Sequence, residues 1–413
     1  MAEPTNTPMP TAPPTPRSNS PAPPISGASP SSITTLPLHP MSSLLSPALA
    51  HLPVIPSRLL AASPAPTTTT TTTTKPRVLH LGSQVHHRQE LYGEFATHHF
   101  DVVRPSWAEH ERGSFAAALR EGRWGRFDAV LRCSWGVGGE MGPWDAELVD
   151  LLPDSVRVFA SVGPGCDGAD TKLLGERGII YCDAGPAAAA EAVAELALAM
   201  IISTFRTLPY SATASADQSA PPSTVSLLQP HSLRGQVLGL VGFGDVGQQI
   251  AHKCRAALGM HVAYHDVERK TGDDVAAHYY CDTLEALYRK ADCVVLCTPP
   301  PSGAGRRIVD ADSLRWFKPG ARLVSVAHGS LVDEDAVAEA LEEERLSAVA
   351  LDESRVRPRL QQLAGNSVLL TGRRAGDTAE AQAEFEELGM RNIMAVLGGG
   401  EALTPVNMQW VRR

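Results

Sequence analysis

The 413-residue sequence predicts an α/β fold of two doubly wound domains, each built on a parallel sheet. Two observations carry this expectation. Apolar runs of strand length alternate with helical stretches over most of the chain, the pattern of strand-helix-strand units. In addition, the run QVLGLVGFGDVGQQIAHKC, residues 236 to 254, leads an apolar strand into Gly242, Gly244 and Gly247 and then straight into a helix. The length suits two domains once a low-complexity N-terminal stretch is subtracted.

Taken in order, residues 1–75 are rich in Pro, Ser, Thr and Ala, end in the threonine run Thr67 to Thr74, and hold a single acidic residue, Glu3. Such a segment buries too little apolar surface to offset its ordering entropy, so a disordered tail is expected. Its scarcity of acid, with Arg17 and Arg58, faintly resembles a transit sequence, but arginine is too sparse and an unstructured extension is the reading. Strand candidates then follow in RVLHLG (from Arg77), DAVLR (128–132), RVFASVG (157–163) and GIIYC (178–182). An Ala-rich helix over 186–206 bridges to the second domain, followed by a polar loop at 208–230. After the glycine run come DCVVLCTPP (292–300), ARLVSVAHG (321–329), LSAVALD (346–352) and NSVLLTG (366–372), which extend the second sheet. A last amphipathic helix at 378–397 is expected to pack back on the first domain. The expected division is therefore a substrate domain at 76–185 plus 379–413 and a nucleotide domain at 186–378.

The formal net charge of −9 leaves no overall basic excess to neutralise nucleic-acid phosphates, so nucleic acid is not expected as a partner. Seven cysteines are scattered without paired CxxC spacing and read as reduced core residues, and no metal site is proposed. No apolar run is expected to reach membrane-spanning length, and no basic-then-apolar leader is read at the start. A cytoplasmic protein with no membrane contact is expected.

The glycine run points to a ligand. In a Rossmann-like strand-turn-helix unit, Gly242 allows the tight turn, Gly244 lets backbone amides approach a pyrophosphate, and Gly247 lets helix and strand pack closely. Asp266 closes the next strand about twenty residues on, where a carboxylate accepts from the adenosine ribose and repels a 2′-phosphate. NAD is therefore expected rather than NADP. Arg269 and Lys270 just beyond read as a solvated basic turn. His261 and His265 read as satisfied strand-edge residues.

On RVLHLG, DTKLLGERGIIYC, AMIISTFR, the glycine loop, GSLVDEDAV, LSAVALD and LTPVN, the chain from about Lys75 to its end resembles the D-isomer-specific 2-hydroxyacid dehydrogenases, in particular their fungal D-mandelate dehydrogenase-like branch. The resemblance implies two Rossmann-like or flavodoxin-like domains around a cleft, and a homodimer. It implies hydride transfer there between NAD(H) and the C2 carbon of a 2-oxo or 2-hydroxy acid. By the same resemblance Asp245, Val246, Thr298, Pro299, Ala327 and Asp352 join Gly242, Gly244, Gly247 and Asp266 at the cofactor, and Gly163 and Gly165 lie at the substrate carboxylate.

The catalytic positions depart from the family pattern. The family arginine of ARG-x-x-VDE is matched by His328 in AHGSLVDE, and the family glutamate by Arg357, five residues after Asp352. The family histidine is matched by Arg373 in LTGRRAGDT, and Pro164 stands where the family offers a backbone amide, which proline lacks. Two readings follow. In one, the chain is an NAD(H)-binding protein that has lost the chemistry and acts through protein partners. In the other, His328 and Arg373 have exchanged roles in a working dehydrogenase. Against the exchange, it moves both groups relative to C2, and Arg357 disfavours a charged imidazole beside it.

Overall fold

The structure is a computed structural model that describes residues 75–133, 141–163, 165–166, 168–185, 187–209, 229–271, 279–299 and 307–412. The tail expected at 1–75 lies almost wholly outside these residues, as do Pro164 and most of the 208–230 loop.

Two parallel sheets organise the unit Thr72–Arg413. The first has five strands in the order β2-β1-β3-β4-β5: β1 (Arg77–Leu81), β2 (Asp101–Val103), β3 (Ala129–Arg132), β4 (Val158–Ser161) and β5 (Ile180–Cys182). The second has seven in the order β12-β11-β10-β9-β6-β7-β8. These are β6 (Val237–Val241), β7 (His261–His265), β8 (Tyr279–Tyr280), β9 (Cys293–Leu296), β10 (Ala321–Ser325), β11 (Leu346–Leu351) and β12 (Val368–Leu370). The apolar runs expected as strands form strands because sheets covered by helices on both faces need unbroken hydrophobic sequence rather than alternation. The edge strands β2 and β8 went unanticipated. Each is too short to show a period, and Asp101 and Tyr279 are exposed.

Helices cover both faces of each sheet. The helix Ala379–Leu397 places Phe385, Met390 and Ile393 in one core with Leu131, Cys133 and Ala160 of the first sheet. Gly389 is what permits this approach, since an added Cβ there would lie 2.8 Å from Val162 Cγ2. On the second sheet, Ala190–Arg206 and Asp245–Leu258 share a core with Leu238, Leu240 and Val295. Ala194 and Ala197, both fully buried, keep these two helices close.

One expectation is corrected here. The segment Ala187–Arg206 is long and apolar enough, by length and composition, to cross a membrane. Its apolarity is used inside the fold, because Met200, Ile201 and Phe205 are buried against the second sheet and the 245–258 helix.

Chain crossings fix which edges of the sheets meet. Ala190–Arg206 starts shortly beyond the C-terminal end of β5, and Ala379–Leu397 starts shortly beyond that of β12. The second of these returns along the C-terminal ends of β3 and β4, at Leu131 and Val162. The carboxyl edges of the two sheets therefore line one cleft, the place where open parallel sheets bind ligands.

Candidate active site

The nucleotide side is built at the end of β6. Gly242 has φ +97°, and a Cβ on it would sit 2.8 Å from the Cys297 carbonyl oxygen and 3.0 Å from Thr298 Cβ. A Cβ on Gly247 would sit 2.5 Å from the Gly242 carbonyl oxygen. Both glycines are thus required by contacts within the protein. Gly244 is different: its φ is −77°, and a Cβ there would meet no atom within 4 Å. Nothing in the chain itself demands glycine at 244, and the open space beside it fits the close approach of a pyrophosphate.

Gly244 also caps the Asp245–Leu258 helix, whose first-turn amides, those of Asp245, Val246 and Gly247, have no carbonyl one turn back and face that space. Asp266 closes β7 with Oδ2 accepting from the Phe243 amide at 2.7 Å and Oδ1 from the Glu268 amide at 3.3 Å, which orients the carboxylate beside the loop. Phe243 is buried and stacks on Tyr264 at 4.0 Å, so the loop is held from below. Thr298 and Pro299 follow β9 against Gly242, and Ala327 follows β10 with its amide donating to Ser325 Oγ at 3.4 Å. Arg269, exposed in the turn after β7, lies over the Tyr280 ring of the edge strand β8 at 5.7 Å. Donor set, open cradle and acid together fit a bound NAD.

His328, Arg357 and Arg373, the residues matched by resemblance to the family's catalytic positions, lie on the loops after β10, β11 and β12, which are neighbours in the sheet. Two carboxylates tie these loops together. Glu353 Oε1 accepts from the Gly329 amide at 2.6 Å, joining the His328 loop to the β11 loop. Buried Asp352 accepts from Thr371 Oγ1 at 2.6 Å and from the amides of Arg374 and Ala375 at 2.8 and 2.9 Å, joining the β11 loop to the Arg373 loop. Replacing Asp352 with alanine strands three donors, and equilibrium denaturation is expected to show a loss of about 3 kcal/mol.

Within that frame, His328 Nδ1 lies 2.8 Å from Ser330 Oγ and accepts from the Ser330 amide at 3.1 Å, so this nitrogen carries no proton in that arrangement. Arg357 donates through its backbone amide to Glu334 and through Nη1 to Asp335 Oδ2 at 2.6 Å. Arg373 is exposed, sits in the left-handed region with φ 59°, and makes no ion pair among the described residues.

In the loop expected to hold the substrate carboxylate, Gly163 has φ 146° and its carbonyl accepts from the Ala184 amide at 3.0 Å. The Gly165 amide, expected to remain for a substrate carboxylate, donates at 3.0 Å to Oδ2 of Asp183, whose Oδ1 accepts from the Gly185 amide at 2.9 Å. Sequence reading missed both Asp183 and Glu353. No spacing in the chain marks an acid that will fold back on a glycine amide.

Cysteines 133, 182, 254, 281 and 293 are buried, and burial pushes the thiols of Cys133, Cys182 and Cys254 up to about 12. Cys166, beside Gly165, is the exposed exception to the expectation of core cysteines.

The same architecture recurs in known proteins. Residues 198–372 match the family of the D-isomer specific 2-hydroxyacid dehydrogenase NAD binding domain. The D-mandelate dehydrogenase of Rhodotorula graminis, in its holo form, superposes with a TM-score of 0.74 at 34% identity, over 81% of this chain and 98% of that one. The 4-methyl-2-oxopentanoate reductase A of Aspergillus oryzae is 28% identical over 65% of this chain and 80% of its own length. The D-3-phosphoglycerate dehydrogenase of Methanocaldococcus jannaschii is 29% identical over 62% of this chain, which spans only 48% of that longer protein. With two parallel-sheet domains, an NAD-binding glycine loop and this similarity over nearly the whole of the Rhodotorula enzyme, the chain belongs to the D-isomer-specific 2-hydroxyacid dehydrogenase family.

Proposed function

We propose that the chain retains the NAD(H) site of its family and has lost the family's hydride-transfer chemistry on small 2-oxo and 2-hydroxy acids, so that its output is cofactor-dependent contact with protein partners. When bound, NAD(H) supplies or accepts the hydride at its nicotinamide ring. The chain's own task would be to hold the acid and move one proton to or from the C2 oxygen, which needs an imidazole oriented by a carboxylate. What supports the proposal is that the positions matched by resemblance to that carboxylate and that imidazole hold Arg357, which is paired with Asp335, and Arg373.

Two further features support it. His328 replaces the family cation and accepts at Nδ1 rather than donating. Gly165 gives its amide to Asp183. The expectations of a homodimer and a cytoplasmic location rest on the family resemblance and belong to the same proposal.

The test is NADH titration of the purified protein by fluorescence, beside NADH oxidation against phenylglyoxylate, 4-methyl-2-oxopentanoate, glyoxylate and hydroxypyruvate. Saturable NADH binding without turnover is expected. Turnover that falls on replacing His328 or Arg373 with alanine would establish the exchanged-role dehydrogenase instead.

A further inference from the structure

Arg132 is the last residue of β3 and pairs in register with Ser161, the last of β4. Its carbonyl accepts from the Val162 amide at 2.7 Å, so it stands at the rim from which the Gly163–Gly165 loop departs. The side chain is half-buried and makes no hydrogen bond or ion pair among the described residues. Burial holds its guanidinium below the ordinary range, with the Tyr181 hydroxyl acting weakly the other way. Tyr181 lies on β5, which pairs with β4, and Asp183 follows β5 and accepts from the Gly165 amide at 3.0 Å at this same end of the sheet.

Arg322 shows what a buried arginine in this fold otherwise looks like. It too is lowered by burial, but it lies 4.0 Å over the Phe205 ring and points Nε and Nη1 at the carbonyls of Thr204 and Gly320, 3.4 and 3.5 Å away. Arg132 has no such surroundings. Asp183, the carboxylate at its rim, is committed to the amides of Gly165 and Gly185. A partly desolvated guanidinium presents five donors in a planar fork and is stabilised best by an anion that takes two of them at once.

We propose that Arg132 receives the carboxylate of a small organic acid at the substrate rim of the cleft, in the anion-holding role that His328 and Pro164 no longer supply. The proposal rests on the retained NAD(H) site argued above, and it assigns the chain a second small-molecule ligand that is bound without being turned over.

The experiment uses the full chain saturated with NADH and titrates sodium pyruvate, following the fluorescence of the bound NADH, with inorganic phosphate in a parallel titration. Pyruvate is expected to bind saturably, about 10-fold more weakly in Arg132→Gln and by an intermediate amount in Arg132→Lys, with NADH affinity unchanged in both. Because the Arg132 side chain has no hydrogen-bond or ion-pair partner among the described residues, the melting temperature of Arg132→Gln is expected to equal or exceed that of the unaltered protein. Undiminished pyruvate binding by Arg132→Gln, or no pyruvate binding by a chain that does bind NADH, overturns the assignment. Phosphate binding as tight as pyruvate overturns the choice of a carboxylate, and a melting temperature that collapses in Arg132→Gln would show a structural role instead. If NADH itself does not bind, the cofactor reading fails first and the proposal with it.

Discussion

Replacing Gly244 with valine is expected to leave the melting temperature of the ligand-free protein unchanged while weakening NADH binding about 100-fold or more, a loss of about 2.7 kcal/mol. The two halves of this result have separate causes. Folding is spared because φ at Gly244 is −77°, open to any residue, and a Cβ there has no neighbour within 4 Å. Binding is not spared, because the added branches fill the space through which the helix amides of Asp245, Val246 and Gly247 reach a phosphate. Gly247→Ala provides the contrast: its Cβ would lie 2.5 Å from the Gly242 carbonyl oxygen, so stability and binding are expected to fall together. Differential scanning fluorimetry with and without NADH reads both effects, and unchanged NADH affinity in Gly244→Val would remove the loop as the cofactor cradle.

A second large effect is expected from His80, buried at 1% exposure near the end of β1. Its Nε2 donates to the Ser83 carbonyl at 3.0 Å, and in the neutral ring its Nδ1 accepts from the Tyr92 hydroxyl at 2.7 Å. Burial first, and the charge of Arg104 second, lower its pKa from 6.5 to about 4. The unfolded chain therefore takes up a proton here well before the folded one does. The stability that the neutral ring confers is complete above pH 6.5, declines as pH falls towards 4, and is level below that. Between pH 7 and pH 5 the contribution lost is about 2 kcal/mol. Urea unfolding at the two pH values should show that loss in the unaltered protein and not in His80→Asn, which keeps a donor and an acceptor without titrating. Equal slopes in the two proteins would mean that other groups carry the acid sensitivity.

How much of this was legible in the chain depended on the range of the interactions involved. β6, the helix after it and β7 follow from local sequence, because an apolar strand of fixed length, glycines at fixed offsets and a terminal acid are all near neighbours. The strands of both sheets showed as apolar runs because parallel sheets covered on both faces require them. Strands of two or three residues, such as β8 and β2, are made by their neighbours and carry no period of their own. The apolar run at 187–206 had two physical explanations, a bilayer or a protein core, and only its neighbours in the fold chose between them.

The sequence by itself determined the two-sheet class and the nucleotide loop, and it set His328, Arg357 and Arg373 on three loops of one sheet, since each is a matter of residue type and short spacing. Tertiary structure alone decided what those residues do. Arg357 pairs with Asp335, His328 accepts from Ser330, Gly165 is held by Asp183, and Arg132 has no hydrogen bond or ion pair from its side chain among the described residues. Hydrogen bonds and ion pairs depend on angstrom-scale placement of groups that the fold brings together from distant or merely nearby positions, and no pattern of residue types along the chain encodes that placement.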